Sequence, residues 1–99
     1  MHVITRARLI EFAKKYPDTE TALDTWYRKV KRANYDNSNE LRLMFPSADF
    51  VGKCTVFNIG GNKVRLITVI RYDKKTIYIR HVLTHTEYDL DKWKTGCKK

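Results

Sequence analysis

The hydrophobic positions of this chain change their period about halfway along. In the first half, apolar residues recur every three or four positions over residues 6–16 and again from residue 19 onwards, as on the buried stripe of a helix. In the second half, apolar and β-branched residues form nearly continuous short runs separated by turn-forming residues, which is typical of strands. The pattern therefore predicts helices followed by strands.

Three helices are predicted in the first half. The first covers residues 6–16, and Pro17 ends it or lies just beyond it, because the residue before a proline avoids the helical conformation. The second begins at residues 19–22, and a third, short helix covers residues 38–45 and stops before Pro46. The apolar stripe of the second helix consists of Ala22, Leu23, Trp26, Tyr27 and Val30.

The second half predicts strands joined by tight turns. Gly60-Gly61-Asn62 supplies the positive φ angles of a hairpin turn, and residues 73–75 form a second turn. A helical turn capped by Thr84 or Thr86 is expected to end by Trp93. The strands themselves are expected at residues 2–4, 54–59, 63–72 and 76–83.

Helices followed by consecutive hairpins indicate an α+β fold. The 99 residues make a single domain spanning 1–99, with the N-terminal helices packed on one face of a small, mainly antiparallel sheet. The two cysteines, Cys54 and Cys97, lie far apart and do not resemble a disulfide framework. Without a signal peptide or a membrane-length apolar run, the expected location is cytoplasmic, with no membrane partner.

The charge is unevenly distributed. Lys and Arg number 20 against 11 Asp and Glu, giving a net charge of +9. Residues 1–50 carry nine basic and seven acidic side chains, a net +2, whereas residues 51–99 carry eleven and four, a net +7. The basic second half favours a polyanionic partner, either a nucleic acid or an acidic protein segment.

Two arginines interrupt the apolar strands. Arg65 alternates with Val64 and Leu66, and Arg80 is flanked by Ile79 and His81, so each arginine is expected on the opposite face from its neighbours. A solvated face is one interpretation. A phosphate site is the other, because a guanidinium binds phosphate bidentately and stays charged throughout a reaction.

Proton-transfer side chains are densest at residues 84–89. His85 lies where the last strand ends, and Tyr88 either covers the edge of the core with Trp93 or orients, stacks against or exchanges a proton with a substrate. His81 and His85 would be about 13 Å apart on a strand, too far for one ion. With no third ligand nearby, no metal and no cofactor is expected.

Several sequence blocks together resemble the HigB-type toxins of bacterial type II toxin–antitoxin modules. They are Val56-Phe57-Asn58-Ile59-Gly60-Gly61-Asn62 with Arg65, Tyr78-Ile79-Arg80, and Thr84-His85-Thr86-Glu87-Tyr88-Asp89. The resemblance implies a RelE-like fold and metal-independent endonucleolytic cleavage of mRNA, usually on translating ribosomes. It also implies a cognate antitoxin, expected to carry a helix-turn-helix DNA-binding domain.

By position in these blocks, the resemblance assigns the catalytic roles to Arg65, Arg80, His85 and Tyr88. Basic and amide side chains around them are expected to contact RNA. The alternative function is a non-enzymatic basic module that binds nucleic acid through the same sheet, which explains the charge equally well but gives no reason for His85 beside Tyr88. The expected RNA contacts are Lys53, Asn58, Asn62, Lys63, Arg71, Lys92 and Lys94.

Overall fold

The protein is built on one five-stranded sheet with the strand order β1-β5-β4-β3-β2. The computed structural model describes residues 1–61 and 63–97. β1 runs parallel to β5, and the other neighbouring strands are antiparallel, which confirms the predicted mainly antiparallel sheet. The strands are β1 His2–Ile4, β2 Asp49–Val51, β3 Cys54–Ile59, β4 Val64–Arg71 and β5 Thr76–Thr84.

The α-helices lie between β1 and β2 and after β5. Shorter 3₁₀ helices cover Pro17–Thr19, Tyr72–Lys74 and Lys92–Cys97. No helix in the described part of the chain is long and apolar enough to cross a membrane. The α-helices are α1 Ala7–Lys15, α2 Glu20–Arg32, α3 Ser38–Met44 and α4 His85–Asp89.

The predicted helices and hairpin are confirmed within a few residues. Leu23, Trp26 and Val30 of α2 are buried, as the helical stripe predicts. Gly60 and Gly61 both have φ of +62°, a left-handed conformation that glycine adopts without steric cost. Asn62, the third turn residue, lies outside the described residues. β2 was not predicted, because a three-residue edge strand is too short to show alternation.

The sheet buries apolar side chains on both faces. On the first face, Leu9, Leu23 and Leu41 from the helices pack against sheet residues that include Val64 and Leu66. The second face carries a smaller cluster without long helices. Its buried members are Cys54, Val56, Ile67, Trp93 and Cys97.

Cys54 and Cys97 form a disulfide, so the interpretation that these two cysteines do not resemble a disulfide framework was wrong. The two residues are 43 positions apart in sequence. The hairpins of the sheet and the 3₁₀ helix Lys92–Cys97 return the chain to the start of β3, where the backbone N–H of Lys53 donates to the carbonyl oxygen of Cys97 at 3.0 Å. Tertiary folding, which sequence spacing does not reveal, brings the sulfurs together.

We expect Leu66→Ala to lower the free energy of unfolding by about 2–5 kcal/mol, because Leu66 is fully buried and its removal leaves a cavity under the helices. Leu43→Ala is the matched control: Leu43 is 85% exposed, so its effect should stay within about 0.5 kcal/mol. Urea unfolding followed by circular dichroism measures both. Equal destabilisation by the two substitutions would contradict the assignment of the core.

Candidate active site

Arg65 lies on the second face of the sheet, away from the helices. Its neighbours Val64 and Leu66 belong to the helix-facing core, so the alternation of β4 sends Arg65 the other way. Asn58 is its direct partner on β3, and the Asn58 Oδ1 atom accepts a hydrogen bond from Nη1 of Arg65. The register of the β3–β4 hairpin therefore places the amide that holds the guanidinium.

Two aromatic rings lie behind this guanidinium. The Cζ atom of Arg65 is 4.8 Å from the centroid of the Tyr88 ring, a cation–π contact. Tyr88 in turn stacks on Trp93, with ring centroids 4.9 Å apart and planes 15° from parallel. The indole Nε1–H of Trp93 donates to the carbonyl oxygen of Tyr88 at 2.9 Å. We call Arg65, Tyr88 and Trp93 the arginine–aromatic stack.

Helix α4 carries both His85 and Tyr88. A capping box starts it: the N–H of Glu87 donates to Thr84 Oγ1 at 3.2 Å, and the N–H of Thr84 donates to Glu87 Oε1 at 3.0 Å. The box confirms Thr84 as the cap. His85 and Tyr88 are three residues apart on α4, so their side chains are neighbours, with Cβ atoms about 5–6 Å apart.

His85 is exposed and has a carboxylate partner. Its Nε2 atom lies 3.2 Å from Oδ2 of Asp89, one helical turn away. Both side chains are about 60% exposed, so the pair itself contributes little to stability. The arrangement leaves the imidazole exposed on the helix that carries Tyr88 of the arginine–aromatic stack.

Arg80 is separated from this group by an irregularity in β5. Ile67 pairs with His81 and Thr68 pairs with Ile79, so Arg80 is the extra residue of a β-bulge. The prediction of regular alternation between Arg80 and His81 was therefore wrong. Its Nη2 atom would lie 3.1 Å from a Cβ built on Gly96. Arg80 is thus placed against the 3₁₀ helix Lys92–Cys97.

The β4–β5 pairing also sets the distance between the two arginines. Arg65 pairs with Leu83, three residues along β5 from Arg80, which corresponds to about 10 Å between the strand positions. Side chains of this length can both contact one extended polyanion, but they do not meet in the structure as a single cluster.

The other predicted RNA contacts are dispersed. Lys53 and Arg71 lie at the opposite end of the β3–β4 pair from Arg65. Arg71 binds Asp73 through Nε and Nη2 at 3.2 and 3.0 Å, and this hydrogen bonding lowers the pKa of the Asp73 carboxyl. Lys63 Nζ lies 3.6 Å from Oδ2 of Asp18, on the helix side of the hairpin turn.

Of the remaining predicted contacts, Asn58 and two lysines lie close to the arginine–aromatic stack. Lys92 and Lys94 are exposed on the 3₁₀ helix that contains Trp93, and Lys94 Nζ lies 3.1 Å from Oδ1 of Asp91. Asn62 lies outside the described residues. The RNA contacts remain predictions, and Asn58 has the additional role of holding Arg65.

Trp93 and Asp89 were not predicted as members of the site. Asp89 lies four residues after His85 on one short helix, and this spacing could have indicated the carboxylate partner. Trp93 was considered only as a cover for the core edge. Its role beneath Tyr88 depends on where the 3₁₀ helix returns to the sheet, which the local sequence does not specify.

The chemistry available here is that of charge stabilisation and proton transfer. A guanidinium fixed from one side by Asn58 and from behind by Tyr88 can bind a phosphate oxygen without reorganising. His85 and Tyr88 lie within one turn of the same helix. Among the described residues, no group of three or more His, Cys, Asp or Glu side chains is placed to hold a metal ion. A groove of about 580 Å³ between α1 and α2 contains none of these residues.

The sequence is similar to known toxins over most of its length. Residues 19–91 match the family model of the HigB toxin, described as the RelE-like toxic component of a toxin–antitoxin system. The mRNA interferase HigB of Escherichia coli O6:H1 is 36% identical over 92 residues, covering 90% of this chain and 89% of that protein.

Two further relatives show the same degree of similarity. The mRNA interferase toxin HigB of Escherichia coli K12 and the mRNA interferase HigB of Shigella flexneri are each 36% identical over 92 residues, covering 90% of this chain and 88% of the relative. The resemblance that the sequence blocks indicated is therefore confirmed over nearly the whole chain.

His81 provides a test of the electrostatics beside the site. Burial first, then the nearby charges of Arg8 and Arg80, lower the pKa of His81 below its usual 6.5. Below pH 6.5 His81 therefore takes up a proton more readily in the unfolded chain than in the folded protein. The free energy of unfolding that this difference contributes above pH 6.5 is lost as the pH falls. We expect His81→Gln to reduce this dependence in urea unfolding measured from pH 7.5 to 5, and His2→Gln to leave it unchanged. Parallel stability curves for wild type and His81→Gln would contradict the assignment.

Proposed function

Because the chain belongs to the HigB family of RelE-like toxins from toxin–antitoxin systems, we propose that it is an endoribonuclease that arrests growth by cleaving mRNA on the translating ribosome. Relatives over nearly its full length are named mRNA interferases. The observation that carries the proposal is the Arg65 guanidinium, held by Asn58 and Tyr88 on an open face of the sheet one helical turn from His85.

Cleavage uses the 2′-hydroxyl of the RNA as the nucleophile. This oxygen attacks the adjacent phosphorus, and the bond from phosphorus to the 5′-oxygen of the next nucleotide breaks. The reaction requires a base for the 2′-hydroxyl proton, a cation for the charge that develops on the phosphorane-like transition state, and an acid for the leaving oxygen. The chain supplies these groups without a covalent nucleophile and without a metal.

Each candidate residue has a role in this scheme. Arg65 stabilises the transition-state charge, and Arg80, about 10 Å further along the sheet, binds a neighbouring phosphate or completes the charge stabilisation on substrate binding. His85 is the acid or base, since an imidazole side chain can accept or donate a proton near neutral pH. Asp89 orients His85. Tyr88 orients the substrate and supports Arg65 from behind.

The partners follow from the same proposal. The substrate is mRNA bound to a ribosome in the cytoplasm, and Lys53, Lys63, Arg71, Lys92 and Lys94 supply non-specific phosphate contacts, with Asn58 and Asn62 beside the site. The family implies a cognate antitoxin, and we propose that it carries a helix-turn-helix DNA-binding domain. Its toxin-contacting surface is acidic, since complementary charge speeds association with a chain of net charge +9.

The second candidate function, a non-enzymatic nucleic-acid-binding module, is distinguished by one substitution. Arg65→Lys keeps the positive charge but removes the planar fork that pairs with Asn58. A binding module should tolerate this change, whereas a nuclease should lose turnover more than affinity. The pairing of His85 with Asp89 beside the stack favours the nuclease.

Induced expression of the wild-type chain should arrest bacterial growth and shorten cellular mRNA, and the double variant Arg65→Ala/His85→Ala should relieve both effects. Losing one charge-stabilising group costs on the order of a hundredfold in rate, and losing the proton-transfer group compounds the loss. The matched control is Arg28→Ala, which removes an exposed arginine paired with Asp24 on α2 and should leave the arrest intact. Arrest by a double variant that accumulates in folded form would refute the site.

Cleavage should survive EDTA, because the scheme draws its base, acid and cation from protein side chains. The measurement is cleavage of a free RNA substrate by the purified toxin at a fixed pH, so that loss of ribosome integrity in chelator is not confounding. Heat-inactivated toxin provides the background. Activity that disappears with EDTA and returns with a divalent ion would rule out the scheme as written.

A further inference from the structure

The segment Lys92–Cys97 holds the arginine–aromatic stack in place, and a disulfide ties this segment to the sheet. We propose that Trp93 is a positioning residue for Tyr88 and Arg65, and that closure of the Cys54–Cys97 disulfide switches the toxin to its active form. This inference rests on the proposed nuclease function and adds to it a control by thiol oxidation.

Trp93 supports the site without touching the substrate position. It is 4% exposed, its indole stacks on Tyr88, and its Nε1–H donates to the Tyr88 carbonyl oxygen at 2.9 Å. The guanidinium of Arg65 lies over the ring of Tyr88. Removal of Trp93 from this position leaves Tyr88 without its backing, and the guanidinium then loses one of its two fixed contacts.

Trp93 depends on a small group of buried neighbours. Among the residues that the structure describes, the buried members of the second-face cluster are Cys54, Val56, Ile67, Trp93 and Cys97, and two of these five are the bonded cysteines. Besides the disulfide, the segment is joined to the start of β3 by the hydrogen bond from Lys53 N to Cys97 O at 3.0 Å. Val51, Val69, Leu83 and Tyr88 pack against this cluster and are only partly buried, so the layer is thin, and the disulfide is its covalent link to the sheet.

The same segment also contacts the second candidate arginine. Arg80 Nη2 lies so near Gly96 that a Cβ there would be 3.1 Å away, and Gly96 immediately precedes Cys97. Release of the segment therefore alters the surroundings of Arg65 through Trp93 and those of Arg80 through Gly96. The helix-facing core lies on the opposite side of the sheet and stays intact.

The redox step is a thiol–disulfide exchange with a small-molecule disulfide such as oxidised glutathione. The Cys54 or Cys97 thiolate attacks one sulfur and releases one small thiol; the remaining protein thiolate attacks the mixed disulfide and releases the second. The two protein thiols lose two electrons in total, which reduce the small disulfide to two thiols. Both cysteines are 2% exposed when bonded, so exchange proceeds through the open segment.

The compartment makes this bond a control point. Disulfides in the cytoplasm, where mRNA is translated, are rare and are usually transient or redox-sensing. The reduced protein is then the resting form, with Trp93 and Tyr88 released, and oxidation assembles the stack. Thiol oxidation would thereby increase mRNA cleavage.

The test compares purified full-length toxin after equilibration with oxidised glutathione or with dithiothreitol, on a defined mRNA in a translating extract. We expect cleavage to fall at least about tenfold on reduction, since a misplacement of about 1 Å can cost about a hundredfold. The Cys54→Ser/Cys97→Ser variant controls for effects of either reagent on the extract. It should cleave at the rate of reduced wild type in both conditions.

Two further variants separate positioning from general stability. Trp93→Ala should lose activity even when oxidised, while Trp93→Phe, which keeps an aromatic ring under Tyr88, should retain most of it. Reduction should also shift tryptophan emission to longer wavelength, because release moves the buried Trp93 indole into water, whereas Trp26 lies on the other face of the sheet. Circular dichroism should show that the reduced protein remains folded.

The outcomes are distinct. Equal cleavage by oxidised and reduced wild type, with the disulfide verified by thiol titration, would overturn the switch and leave the nuclease proposal standing. Unchanged emission on reduction would overturn the release of Trp93 whatever the activity. Absence of cleavage in both redox states, with active ribosomes, would instead contradict the proposed nuclease function.

Discussion

The alternation of side chains along β4 is the constraint on which this structure depends. Val64 and Leu66 must lie under the helices, and Arg65, the residue between them, must then lie on the opposite face. A register slip of one residue would drive a guanidinium into the helix-facing core, at a cost of several kcal/mol for an unpaired buried charge. The Gly60–Gly61 turn, with φ of +62° at both glycines, holds that register and so also holds Asn58 opposite Arg65.

The unequal cover of the two sheet faces explains why the site lies where it does. In the part of the chain that the structure describes, three helices cover one face, and α4 and the 3₁₀ helix Lys92–Cys97 cover the other. Arg65 is half-buried, and its guanidinium lies against the ring of Tyr88. Partial burial strengthens the attraction of a guanidinium for an oxyanion, since less water screens the charge. The thin layer thus strengthens the attraction of Arg65 for an oxyanion. It also makes the site sensitive to the position of the segment Lys92–Cys97.

Sequence periodicity could predict the fold because its main elements are long relative to their periods. The stripe of α2 and the runs of β3, β4 and β5 each repeat their pattern several times. It could predict Arg65, His85 and Tyr88 as candidates, because polar residues in apolar strands and at strand ends are visible locally. It could not predict the bulge at Arg80, the three-residue strand β2, the disulfide or the support from Trp93. Each of these depends on contacts between distant segments.

The two histidines on either side of the β5–α4 junction show how far local sequence can go in assigning chemistry. His81 and His85 are four residues apart, and residue type alone does not distinguish their roles. His81 is half-buried near Arg8 and Arg80, where burial and like charge lower its pKa and disfavour the imidazolium. His85 is open to water, and its Nε2 atom lies 3.2 Å from Oδ2 of Asp89. The capping box at Thr84 ends the strand between them and creates the difference. Of the two histidines, His85 is the better candidate for proton transfer, because it is exposed and has a carboxylate that can orient its ring, whereas His81 is half-buried beside two arginines.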